Sequence, residues 1–200
     1  MTSRKTWPRA QAAHEDEANR ILARYASFCA WTPCLPVPVE HIVEGYYGLT
    51  ILCEQLDEPP GQTILGALSP QDKAIRLNER HIDLFDRCIG PETFTLAHEL
   101  GHWVYDAVDP AQGQLFGVSA DGVVFCRRVD GGQTTDWDIR EVNANKFAAC
   151  LVLPAELVRK QIKSQFDSWR AFEAAARDWG ASQSTLKIRL QTLDLEWCLP

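Results

Sequence analysis

The chain's 7 cysteines (Cys29, Cys34, Cys53, Cys88, Cys126, Cys150 and Cys198) never form a C-x-x-C pair. Their odd number and scatter argue against a disulfide framework and against a cysteine-built zinc site. They read as reduced thiols of a cytoplasmic protein. Positive charge is also scarce, with 20 Lys and Arg against 27 Asp and Glu and a net charge of -7. That balance gives no general affinity for nucleic acid or an anionic membrane, so direct nucleic-acid binding is not expected. No apolar run is long enough to span a bilayer. Met1–Arg9 lacks the apolar stretch that follows the basic residues of a secretory signal. Repeats and low-complexity tracts are missing as well. What remains is an ordinary globular composition, 46% hydrophobic and 24% charged over 200 residues. A chain of that size buries a sizeable core as one domain, with room for a small helical appendage.

Periodicity predicts a first helix from about Ala10 to Ala30, with Ile21, Tyr25 and Phe28 on one apolar stripe and Glu15, Asp16 and Glu17 as a solvated face. Trp31–Pro38 holds three prolines and must be extended or turned. A short helix near Val39–Tyr47 stops at Gly48. Strands are expected at Leu49–Cys53, Thr63–Leu68 and Ala74–Asn78, with a turn at Pro59–Gly61. Gly90-Pro91 opens a helix running to about Ala107, since proline suits the first helical position. Two further strands are expected at Gln114–Val118 and Val123–Arg128. A Thr134–Asp136 cap opens a helix to about Leu151. Helices at Ala155–Ser164, Ser168–Trp179 and Ser182–Leu193 follow, with Gly180 as a stop and Ser182 as an N-cap.

The chemistry sits in His98-Glu99-Leu100-Gly101-His102, an H-E-x-x-H sequence inside the Pro91–Ala107 helix. Histidines four residues apart lie one turn apart on one face, with Cβ atoms ~5–6 Å apart. Two imidazoles so placed can converge on one ion at the ~2.0–2.1 Å that zinc requires. Glu99 is ~100° round the helix and flanks the ion, as a general base acting on metal-bound water should. The rest of this helix is apolar on nearly all sides (Phe94, Leu96, Ala97, Leu100, Trp103, Val104), which argues that it is buried. A buried carboxylate beside two imidazoles is costly unless a cation resolves it.

A catalytic zinc needs a third protein ligand. No histidine follows His102, which excludes the metzincin pattern. The third ligand is therefore expected to be a carboxylate on a later element: Asp106, Asp109, Asp136, Asp138, Glu141 or Glu156. Asp106 ranks lower, because three ligands along one helix line up rather than form a tetrahedral corner. Glu141 lies inside the next long helix with Asn145 at i+4 on the same face. Asn145 has two readings, an orienting partner for a ligand histidine or a packing residue. Tyr105 reads as a core or rim aromatic rather than an oxyanion donor. Cys126 and Cys150 read as inert buried thiols rather than redox switches.

Phe94-Thr-Leu-Ala-His-Glu-Leu-Gly-His102, followed by Glu141-Val-Asn-Ala-Asn-Lys-Phe-Ala-Ala-Cys-Leu-Val-Leu-Pro154, resembles the ImmA/IrrE family of zinc metallopeptidases. The Ala74–Asn78 strand, ending in asparagine ahead of the active-site helix, fits the same pattern. The resemblance implies that His98, His102 and Glu141 hold one Zn2+ per chain and that Glu99 is the catalytic base. It also implies an α+β, zincin-like fold: a small twisted sheet packed on the H-E-x-x-H helix, with a helical C-terminal bundle. The corresponding division is a metallopeptidase domain over 1–154 and a helix-turn-helix-like extension over 155–200. Asn143 stands where the family often has a second glutamate, and Asp106 where many members have another histidine. The implied activity is zinc-dependent endopeptidase cleavage of a protein partner, a DNA-binding helix-turn-helix repressor, to derepress stress or mobile-element genes. Two rivals stand beside it: a non-enzymatic regulator that keeps the zinc fold and binds a protein or DNA, and a zinc hydrolase of small peptides. Lys187 and Arg189 could touch DNA, but the last helices read better as a packing or interaction element.

Overall fold

The structure is a computed structural model that describes residues 10–59, 63–87, 89–105, 124–127 and 136–200. The first helix, α1 (Gln11–Cys29), ends where Ala30 takes a left-handed φ of 56°. Ile21 and Tyr25 are buried as the stripe requires, but Phe28 is 59% exposed. The predicted acidic face is corrected too. Only Asp16 is exposed: Glu17 is buried and paired with Arg20, and Glu15 is drawn into a contact described below. The proline segment contains a cis Leu35–Pro36 bond. It leads into one turn of helix, α2 (Val39–His41), continued by a π-helical turn over Ile42–Tyr46. Gly48 ends this element at a φ of +66°, a region that glycine enters without steric cost.

Four strands form one mixed sheet in the order β1 (Thr50–Glu54), β3 (Ala74–Asn78), β2 (Ile64–Ser69), β4 (Val124–Arg127). β2 and β3 form an antiparallel hairpin with Leu68 opposite Ile75, and β1 runs parallel to β3. The hairpin turns through Lys73 at a φ of 49°. Nearly every residue of the two central strands is buried, whereas Leu52 and Cys53 of the edge strand β1 are exposed. A short helix α3 (Ile82–Arg87), which the sequence pattern did not reveal, precedes α4 (Ile89–Tyr105). Asn78 caps the turn between β3 and α3. Its Oδ1 accepts from the Arg80 and Leu56 amides, and its Nδ2 donates to the Ile64 carbonyl at 2.8 Å.

α4 lies against the sheet on one side and α5 (Asp136–Val152) on the other. Two glycines permit these approaches. A Cβ at Gly66 would come within 2.5 Å of Thr95 Cγ2, and one at Gly101 within 2.9 Å of Phe147 Cδ1. The chain continues through α6 (Ala155–Gln161), α7 (Trp169–Asp178) and α8 (Gln183–Thr192). Ser168 and Ser182 cap the last two helices by accepting the Ala171 and Thr185 amides, and Gly180 stops α7 at a φ of +73°. Gly90, at the start of α4, lies so close to the α7–α8 turn that a Cβ there would be 2.2 Å from the Ser182 nitrogen. One hydrophobic core joins Leu100 of α4 and Phe147 of α5 to Phe172, Leu186 and Leu190.

Arg189 is 1% exposed. Its Nε donates to the Leu153 carbonyl at 2.7 Å, and its guanidinium grips the Glu15 carboxylate of α1, with the Nη2–Oε2 contact at 2.8 Å. It is a packing residue unavailable to DNA. Lys187 instead lies over the Trp169 ring at 5.9 Å. The expected strand Gln114–Val118, the cap residues Thr134 and Thr135, and the segment Met1–Arg9 lie outside the described residues. Among the described residues no helix is long and apolar enough to cross a membrane.

Candidate metal centre

α4 carries His98 and His102 one turn apart on the face turned to α5, and α5 presents Glu141 to them. All three are buried, with His98 and His102 at 0% and Glu141 at 3% exposure. The Nε2 atoms of the two histidines are 3.1 Å apart. Glu141 Oε2 is 3.2 Å from His98 Nε2, and Oε1 is 3.2 Å from His102 Nε2. These edges nearly match the ~3.3–3.4 Å that separates ligands of a tetrahedral zinc bound at ~2.0–2.1 Å. Among the described residues no other His, Cys, Asp or Glu cluster gathers in this way.

The donor set itself fits a cation. His98 Nδ1 lies 3.0 Å from Asn145 Oδ1. An amide oxygen only accepts, so His98 carries its proton there and turns the Nε2 lone pair inward. That lone pair faces a carboxylate oxygen and a second imidazole nitrogen. One proton on His102 could serve a single edge of the triangle, whereas a divalent ion serves all three. Both Glu141 oxygens lie 3.2 Å from an imidazole nitrogen. Burial alone would raise the Glu141 carboxyl, but the two imidazoles outweigh it and hold it at about 2. The carboxylate is therefore ionised and ready to bind a cation.

Glu99 sits beside this triangle at 0% exposure, with neither oxygen hydrogen-bonded. The Leu68 amide is near enough to lower its pKa slightly but falls short of a hydrogen bond. Burial raises the Glu99 carboxyl to about 7 against the pull of His98 and His102, and the Glu141 charge adds to the rise. A carboxyl poised near neutrality can both take and return a proton.

Among the described residues, no other carboxylate considered as a third ligand joins the cluster. Glu156 is exposed on α6. Asp106 and Asp109 lie outside the described residues, as do the side chains of Asp136 and Asp138. Tyr105 is a core aromatic, edge-on to Phe147 at 5.7 Å and His14 at 6.1 Å. Cys150 is buried, and burial pushes its thiol up to about 12, which makes it a poor nucleophile at neutral pH. The side chain of Cys126 lies outside the described residues.

A buried His-His-Glu triangle with a near-neutral carboxyl alongside, on an α+β scaffold, has the composition of a metallopeptidase centre. A family profile described as the IrrE N-terminal-like domain, a peptidase family, matches residues 68–191. The chain belongs to that family, and the matched span holds His98, Glu99, His102 and Glu141 together. In a search of curated proteins, no relative matched the chain.

Proposed function

We propose that this protein is a zinc-dependent endopeptidase in which His98, His102 and Glu141 hold one Zn2+ and Glu99 is the general base. The observation that carries the reading is the triangle of buried donor atoms, 3.1–3.2 Å on each side, with an unsatisfied carboxyl beside it. A zinc ion held by His98, His102 and Glu141 would supply Lewis acidity toward a peptide carbonyl and toward water. Glu99, buried beside the triangle, would take a water proton and return it to the departing amine. Asn145 fixes the His98 tautomer with the Nε2 lone pair turned toward Glu141 and His102. The zincin-like packing and the division at Pro154 belong to the same proposal. So does the substrate, a helix-turn-helix repressor in the cytoplasm, which rests on the ImmA/IrrE resemblance and not on the site's geometry.

Metal content of the purified wild type beside Glu141→Ala and Glu99→Gln tests the reading. About one zinc per chain is expected in the wild type and in Glu99→Gln, and none in Glu141→Ala. Glu99→Gln should lose ~100-fold or more of any peptidase rate while holding its metal. A wild type that cannot be loaded with zinc removes the peptidase reading and leaves a partner-binding module in its place.

A further inference from the structure

A groove of about 400 Å³ is lined mainly by α5 and α8, with Phe94 of α4 and Gln11 of α1 completing it. Its walls include Phe94, Val142, Ala149 and Ile188. Val142 and Ile188 are 49% and 57% exposed, an unusual place for two branched aliphatics side by side on neighbouring helices. Lys146 also lines the groove and makes no hydrogen bond or ion pair with any described residue. The other cation there, Arg189, is already bound to Glu15. No acidic side chain among the described residues lines the groove, although the chain's net charge is -7. Asn145, the acceptor for His98 Nδ1, forms part of the same wall.

We propose that this groove binds a small amphipathic carboxylate, with its alkyl or aryl body against Phe94, Val142 and Ile188 and its acid group on the Lys146 ammonium. The volume lies within the ~300–1,000 Å³ of small-ligand sites. A partner protein needs ~1,000 Å² or more of buried surface, more than a groove of this size offers. Apolar walls supply the affinity, and the Lys146 ammonium selects the charge. An occupant touches the residue that orients His98, so the groove is a place from which the metal centre is tuned. The tuning rests on the metallopeptidase reading; the binding does not.

Titration of the full chain with octanoate, followed by amide chemical shifts, tests the site, with 1-octanol as the uncharged probe. Saturable shifts are expected at Val142, Asn145 and Ile188. Lys146→Gln should weaken octanoate about tenfold and leave octanol unchanged. Ile188→Asp, at an exposed position that the fold tolerates, should abolish both. Shifts that never saturate, or octanoate binding that survives both substitutions, overturn the proposal and return the groove to a segment of a protein partner. The same titration on zinc-loaded chain reads the tuning, because linkage requires each ligand to alter the other's affinity by one factor. Equal octanoate affinities with and without zinc discard the tuning. Saturable octanoate binding by a chain that takes up no zinc sinks the metal reading while leaving the groove's ligand in place.

Discussion

Asn145 shows how one side chain settles the state of another. Its oxygen lies 3.0 Å from His98 Nδ1, so the proton stays on that nitrogen and the lone pair is turned toward Glu141. Asn145→Ala is expected to weaken zinc affinity ~10–100-fold, measured by chelator competition, while the metal-free chain melts as before. Asn145→Asp keeps an acceptor and should restore most of the loss. A residue that only packs against its neighbours would show the reverse, a lower melting temperature with unchanged affinity. At this scale the sequence was informative where local geometry decides. The i and i+4 histidines share a face of any helix, and Glu141 and Asn145 repeat the spacing. That Glu141 meets both histidines depends on α5 crossing α4, which no local pattern encodes.

Close approach between helices is governed by what is missing from them. At Gly101 a Cβ would press on the buried Phe147 ring, and at Gly90 it would meet the main chain of Ala181 and Ser182. A ring can shift by a few tenths of an ångström, whereas a main-chain turn must move as a body. Gly101→Ala should cost about 1–2 kcal/mol after the helix-propensity gain is counted, and Gly90→Ala about 3 kcal/mol. Denaturant melts check the order, and equal losses would contradict the argument. The long periodic helices and the two central strands were legible to within a few residues. The six residues of α3 were not, since a single short turn of helix carries no periodicity to read. The π-helical turn after His41 was also hidden, because its sequence looks like ordinary helix.

The whole molecule is laced together by a charge that sequence patterning assigned to the packing or partner-binding surface of the last helix. Arg189 is buried because Glu15 and the Leu153 carbonyl meet it, from α1 and from the end of α5. Nothing near position 189 announces those partners. Burial tends to raise the Glu15 carboxyl, but the hydrogen bonds and charge of Arg189 outweigh it, and the folded pKa falls below its ordinary value. A lowered carboxylate pKa contributes stability in full above the unfolded value, ~4.3, and loses it as pH drops through the folded value. Glu15→Ala should therefore destabilise by about 3 kcal/mol at pH 7, where it strands a buried guanidinium. The gap from wild type should narrow below pH ~4 as the native Glu15 protonates. Thermal melts across pH check this, and a constant gap would show that lost packing rather than charge is responsible.

The same bridge constrains how the molecule is made. Glu15 and Arg189 stand 174 residues apart. At a synthesis rate of ~5–20 residues per second, α1 leaves the ribosome roughly 10–30 s before its partner exists. During that interval Tyr25 can already meet His41, but Glu15 has no guanidinium to grip. The Glu15–Arg189 bridge thus closes only after translation has passed α8, later than the packing of α1 on α5 can begin.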